Sequence, residues 1–352
     1  MKNFVFGAAI LLPLAVSGSV ATAGLSDVLD RPALVSEHAL RAAMLAVTRS
    51  GHRLVAVGER GIALLSDDNG KTWRQARVPV STTLTQVVFV DEKQGWAAGH
   101  SGVLLSTRDG GESWQLRLDG RAVAQLELAA AKQSGDARRI ADAERLVADG
   151  PDKPFLDLHF DDANKGYAVG AYGLAVRTLD GGATWQSMMG AIDNPKARHY
   201  YAVQRVGTDL YLCGEQGLLY RSTDDGASFA ALPSPGKGSL FGMASDRSGQ
   251  LFAYGLRGAL FRSVDHGASW DKVEMPPVSL TAGLTLTDGS VLLADERGHL
   301  VRSKNGAPAF EALTEAASTP VSGLVQAADG AVIVVGAKNI DRIVIGAEGA
   351  GK

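Results

Sequence analysis

Short apolar runs alternate along this chain with clusters of Gly, Asp, Ser and Thr, and the alternation is periodic. An apolar run, a G-x-x-G tetrapeptide and a second apolar run recur at Gly58–Gly61, Gly99–Gly102, Gly170–Gly173, Gly214–Gly217 and Gly255–Gly258. Variant copies stand at Asp295–Gly298 and Gly336–Asn339. The closing positions lie 41, 71, 44, 41, 40 and 41 residues apart, which makes seven units of about 41 with one insertion of about 30. A second phrase, S/T-x-D-x-G-x-S/T-W, follows the tetrapeptide in the first five units, at Ser66–Trp73, Thr107–Trp114, Thr178–Trp185, Ser222–Phe229 and Ser263–Trp270. The fourth copy ends in Phe229, and a worn sixth copy runs from Ser303 to Phe310.

Each unit predicts four short strands. In the second unit these are Thr85–Val90, Gly95–Ala98, Val103–Ser106 and Ser113–Leu118. The G-x-x-G joins the second strand to the third as a tight turn in which glycine supplies positive φ. The aspartate box joins the third to the fourth. Seven such units describe an all-β chain, a seven-bladed β-propeller. The seventh unit shows no fourth strand after Ile343–Ile345, and Ala33–Glu37 is expected to supply it and leave no free edge.

The box residues Asp68, Asp109, Asp180, Asp224 and Asp265 read as structural. A Ser/Thr hydroxyl and an Asp carboxylate can accept backbone N–H bonds within such a turn. One carboxylate per blade cannot converge on one metal ion, and the seven histidines show no ligand spacing. The acid pairs Asp67-Asp68, Asp161-Asp162 and Asp224-Asp225 read as solvated turn residues, and no cofactor motif appears.

Composition narrows the function. Glycine makes up 42 of 352 residues, well above the ~7% usual in proteins, as repeated turns require. A net charge of −3 excludes polyanion binding driven by bulk charge, and no nucleic-acid signature is present. The one cysteine, Cys213, sits in an apolar strand and reads as a buried, inert thiol. Lys2, the apolar stretch Phe4–Val16 and Ala21-Thr22-Ala23 have the form of a secretory signal peptide. Residues 1–23 are therefore read as the signal and 24–352 as a single propeller. The mature chain is expected to be periplasmic, monomeric on its own and not inserted in the membrane.

Candidate binding residues come from the ring of second variable positions in the G-x-x-G turns: Arg60, Ser101, Tyr172, Gln216, Arg257, Arg297 and Lys338. Arg257, Arg297, Lys338 and Arg60 fall on consecutive blades and form a basic arc suited to a partner protein, with Glu59, Glu215 and Glu296 placed to neutralise it. Tyr172 and Gln216 offer a possible ligand platform. Arg177, Arg221, Arg262 and Arg302 share one strand position and predict a bond from each blade to a neighbouring turn. The insertion, about 121–154, reads as a helical hairpin between blades 2 and 3, either beside the axial mouth as a lid or docking surface or laid over a blade edge.

The boxes resemble BNR repeats, and the fuller unit at Gly166–Gly173 and Thr178–Trp185 resembles the photosystem II stability and assembly factor family. That resemblance implies a seven-bladed, non-enzymatic assembly factor whose basic patch contacts membrane-protein subunits, with the arc as counterpart by position. The helical insertion and Pro154–Phe160 depart from that pattern. They are more similar to exported proteobacterial relatives that accompany transporters of the resistance-nodulation-division type, so a periplasmic accessory for a membrane complex is expected. The alternative is a sialidase-like glycoside hydrolase or a passive glycan-binding propeller. The chain has Arg31-Pro32 but no Arg-x-Pro near its start, and its regular spacing leaves little room for catalytic loops.

Overall fold

The computed structural model describes residues 27–303 and 309–345; the signal-peptide reading of 1–23 and the centre of the worn sixth box lie outside them. The described residues form seven antiparallel sheets, six of four strands and a last one of three. Blade 1 comprises Met44–Ser50, Arg53–Gly58, Ala63–Ser66 and Arg74–Gln75, and the others repeat the meander. The first strand of every blade packs against the first strands of both neighbours, so seven innermost strands close a ring.

Stability comes from the spaces between blades. Seven apolar clusters occupy them, one per interface. Along the second strand of blade 1, Leu54 and Ala56 enter the cluster shared with blade 7, while Val55 and Val57 enter the one shared with blade 2. Successive side chains point to opposite faces of a strand, and both faces here are covered. That is why the second strands read as unbroken apolar runs rather than as alternation.

The G-x-x-G glycines serve two purposes. The closing glycine has positive φ, from 64 to 75° in blades 1 to 5, but the residue before it does too: Arg60, Ser101, Tyr172, Gln216 and Arg257 all lie at φ 55–58°. The opening glycine is extended, and its need is space. A Cβ on Gly58, Gly99, Gly170, Gly214, Gly255 or Gly336 would stand closer than 3.0 Å to the carbonyl oxygen just before the first strand of the same blade. In blade 6 Asp295 takes this place, and its Oδ1 accepts from Arg297 N at 2.8 Å and His299 N at 2.9 Å, holding a different turn.

Residues Ala33–Glu37 do not complete the last blade. Ala33 N donates to the Val78 carbonyl at 3.0 Å, Gln75 Nε2 to the Leu34 carbonyl at 2.9 Å and Ser36 N to Gln75 Oε1 at 3.0 Å, which ties the segment along blade 1. The Ser36 hydroxyl then caps a 3₁₀ turn, Glu37–Arg41, by accepting from His38 N. Blade 7 meets blade 1 through side chains, with Ile333 and Val335 packed against Met44 and Leu64, and through Arg342 Nε donating to the Asn69 carbonyl at 3.0 Å.

The insertion is a helical hairpin, α1 (Gly120–Ser134) and α2 (Ala137–Asp149). Asp119 and Asp136 cap the two N-termini by accepting from Ala122 N and Arg139 N, both at 3.0 Å, and Gly135 at φ 72° ends α1. These are ordinary helix start and stop signals. Helix α1 buries Val123 in the interface of blades 2 and 3 and lies against Gln186–Ser187, the outermost strand of blade 3. The hairpin is thus seated on the edge of blade 3 and also meets the G-x-x-G turn His100–Gly102 of blade 2.

Candidate functional site

In an antiparallel meander the boxes occupy one face of the ring, and the G-x-x-G turns occupy the other with the blade-to-blade connections. The five complete boxes are engaged in structure. In each of the five boxes the first hydroxyl accepts from the Gly N–H, as Ser222 Oγ does from Gly226 N at 2.9 Å. The Asp accepts from the backbone N–H and hydroxyl four residues on, as Asp224 does from Ser228 at 2.9 and 2.6 Å. These bonds, led by that hydroxyl, hold Asp68, Asp224 and Asp265 down at about 2. A carboxylate whose folded value is depressed stabilises the fold above its unfolded value, near 3.9, and loses that contribution as pH falls through the folded one. The thermal midpoint is therefore expected to drop between pH ~4 and ~2, and a midpoint flat across that window would contradict the assignment.

The acid pairs are not simply solvated. Asp67 accepts from Arg53 Nε at 2.6 Å, Asp161 pairs with Arg205 at 2.5 Å, and Asp225 pairs with Lys165 at 2.7 Å. The aligned arginines also divide. Arg177 Nη1 reaches the Asp225 carbonyl in the next blade's box at 3.1 Å. Arg53 and Arg342 do the same to Gly110 and Asn69. Each acceptor is the left-handed residue before a box glycine. Arg221, Arg262 and Arg302 instead bond Asp209, Gln250 and Ser290 within their own blades. The shared strand position gave no hint of which partner each would take.

On the G-x-x-G face, Arg257, Arg297, Lys338 and Arg60 are all exposed, on blades 5, 6, 7 and 1. None of the four forms an ion pair within the described residues. The expected neutralisation is absent at two acids: Glu59 Oε1 accepts from Ala43 N at 3.1 Å and Glu215 Oε2 from His199 N at 3.2 Å. These carboxylates hold the chain entering the first strand of their own blade. Glu296 is exposed on the turn that carries Arg297. Gln216 is exposed too, with its N–H donating to Ser239 Oγ at 3.3 Å.

Tyr172 belongs to a feature that the sequence did not disclose. It is 54% exposed, its N–H donates to His199 Nδ1 at 2.7 Å, its ring stands edge-on to His199, and Lys153 Nζ lies 5.3 Å from its centroid. It lines a groove of about 830 Å³ between α2 and the segment Met189–Ala197. The base of the hairpin is fixed by buried Glu127, which accepts from Arg139 at 2.8 and 3.0 Å and from the Ser187 hydroxyl. Replacing Glu127 with Ala leaves Arg139 without its partner. It is expected to cost about 2 kcal/mol and to speed hydrogen exchange across α1 and α2 while the blades keep their protection.

Among the described residues no group of three or more His, Cys, Asp or Glu is placed to hold a metal ion, and no helix is long and apolar enough to cross a membrane. Cys213 is buried, and burial pushes its thiol up.

A sequence model of the photosynthesis system II assembly factor YCF48 family matches residues 65–148 and 137–340. The chain belongs to the Ycf48 family. It is 36% identical over 90 residues to the chloroplastic photosystem II stability/assembly factor HCF136 of Cyanidioschyzon merolae, covering 25% of this chain and 19% of that protein. A 45-residue segment is 36% identical to the photosystem II assembly protein Ycf48 of Thermosynechococcus vestitus, covering 13% of each. The matches thus span no more than 19% of either curated relative's length. Among solved structures, YCF48 bound to a D1 peptide superposes with a TM-score of 0.65 at 17% identity, over 90% of this chain and 97% of that one. A streptogramin B lyase gives the same TM-score at 12% identity, over 86% and 95%. At such identities the likeness shows the fold alone, a propeller that serves assembly factors and enzymes alike. The named Ycf48-family relatives are assembly factors.

Proposed function

We propose that this Ycf48-family chain is an exported, periplasmic, non-enzymatic accessory in the assembly of a membrane protein complex. Its candidate partner is a subunit of a transporter of the resistance-nodulation-division type, and Arg257, Arg297, Lys338 and Arg60 form the contact. One observation carries the reading: four exposed cations on consecutive blades stand without ion pairs among the described residues, in a chain of net charge −3. Such an arc steers an acidic partner and rejects a basic one. The related YCF48 structure holds a D1 peptide, which supports a protein segment as the kind of ligand this family takes.

The test is chemical crosslinking in the periplasm followed by purification. Recovery of a defined membrane complex is expected, with Arg257→Glu and Arg297→Glu together lowering the yield ~10-fold or more through a slower, less salt-sensitive encounter. Undiminished recovery from the double variant would remove the arc from the mechanism. The exposed Tyr172 ring beside its groove favours a second reading, passive glycan binding. A copurifying sugar, or turnover of a glycoside panel, would put that reading or a hydrolase in place of the assembly role.

A further inference from the structure

Ten large apolar side chains are left exposed by the described residues, and four of them fall in one short stretch: Val28, Leu34, Val35 and Leu40. Leu34 and Val35 are adjacent and 79% and 70% exposed. Their backbone is not free to turn them inward. Ser81 N donates to the Val28 carbonyl at 2.9 Å, Ala33 N to Val78, and Gln75 bonds both the Leu34 carbonyl and Ser36 N. Leu29 and Ala39 are buried on either side, at 3% and 2% exposure, which anchors the segment at both ends. This strap crosses the G-x-x-G end of blade 1, where a Cβ on Gly61 would touch both the Val80 carbonyl and the Ala33 side chain.

The strap is continuous with the cations. Arg60 is the neighbour of Gly61, Arg41 closes the strap's 3₁₀ turn, and Lys338 stands on the adjoining blade 7. Arg41, like the other two, is exposed and has no ion pair within the described residues. Three aliphatic side chains make a ledge too small for a protein interface of the usual ~800 Å² per partner. A ledge of that size suits a lipid surface: Arg41, Arg60 and Lys338 stand beside it, and of the strap's own acids Asp27 and Asp30 face Arg121 while Glu37 is exposed. Aliphatic side chains enter the boundary between headgroups and acyl chains, while nearby Lys and Arg are drawn to an anionic leaflet.

We propose that the strap and the adjoining end of the basic arc dock on an anionic bilayer, with Leu34, Val35 and Leu40 entering the headgroup layer and Arg41, Arg60 and Lys338 pairing with lipid phosphates. The inference deepens the assembly reading and rests on it for the orientation: the face turned toward the membrane complex also meets the lipid around it. The test is sedimentation of the purified full chain with vesicles of phosphatidylcholine alone or mixed with phosphatidylglycerol, with a mass measurement recording whether residues 1–23 are present.

Binding is expected to the anionic vesicles only and to weaken with salt. Leu34→Ser with Val35→Ser, and separately Arg60→Ser with Lys338→Ser, should each weaken it ~10-fold or more at an unchanged melting temperature. Equal binding to neutral vesicles, no binding to anionic ones, or full binding by either variant overturns the proposal. Crosslinking of the Leu34→Ser, Val35→Ser variant to the membrane complex separates the two readings. Retained capture with lost vesicle binding supports both, whereas lost capture with retained vesicle binding overturns the lipid assignment.

Discussion

Replacing Gly214 with alanine is expected to destabilise the ring by about 3 kcal/mol or more, a large loss for the addition of a single methyl group. Gly214 is extended, at φ −176°, a conformation open to any residue, so backbone preference is not the reason. The reason is approach: the Cβ would stand closer than 3.0 Å to the His199 carbonyl oxygen and cannot escape by rotation, because its neighbours there are backbone atoms. That carbonyl also accepts from Glu215 N at 3.0 Å, and Gly214 N donates to the Leu218 carbonyl at 3.0 Å, so moving either chain breaks ladder bonds. Gly238 is the control, since a Cβ there meets nothing nearer than 3.9 Å. Chemical denaturation should show Gly214→Ala with a sharply lowered midpoint and Gly238→Ala near the parent. Comparable midpoints for the two variants would refute the close-approach explanation.

This glycine shows what a repeat discloses and what it hides. Seven tetrapeptides, two of them variant, at about 41-residue intervals with one insertion, and five boxes were enough for the propeller, because a blade is a local meander and its turns are written in adjacent residues. They were not enough for the reason behind each glycine. The left-handed conformation falls partly on residues that do not advertise it, such as Arg60 and Arg257. Whatever joins residues far apart in the chain was likewise silent. The sequence placed Glu127 in a helix but not on Arg139 and Ser187. It aligned four arginines but not their partners. It read Ala33–Glu37 as a strand because that stretch precedes blade 1, whereas a serine cap and two bonds to Gln75 turn it into a strap. The placing of Arg257, Arg297, Lys338 and Arg60 on consecutive blades needs only blade order, whereas the partners of Glu59 and Glu215, backbone N–H groups rather than these cations, were not legible.

Asp157 carries the second large effect, and it lies in the Pro154–Phe160 stretch. It stands on the innermost strand of blade 3, Phe155–Phe160. Its carboxylate accepts from Gln86 Nε2 at 2.6 Å and from Val203 N at 2.8 Å, joining the innermost strands of blades 2, 3 and 4. Burial pushes its carboxyl up despite those bonds, the reverse of the box aspartates. Asp157→Ala leaves a backbone N–H and a side-chain amide without an acceptor and is expected to cost about 3 kcal/mol at pH 7. Asp157→Asn keeps a carbonyl for Val203 but turns its own NH₂ toward that of Gln86, a loss of about 1 kcal/mol.

The pH dependence has a definite sign. A carboxyl with a raised folded value stabilises most below its unfolded value, near 3.9, and that contribution is lost as pH rises through the folded value. The parent should therefore gain on Asp157→Asn as pH is lowered from 7 toward ~4. Below that, the boxes unfold both proteins together. Denaturant titrations of the three proteins at several pH values would measure this directly. A parent whose advantage over Asp157→Asn shrinks on acidification would show that Asp157 is held as a stabilised anion, and would reverse the assignment of burial as the dominant influence on it.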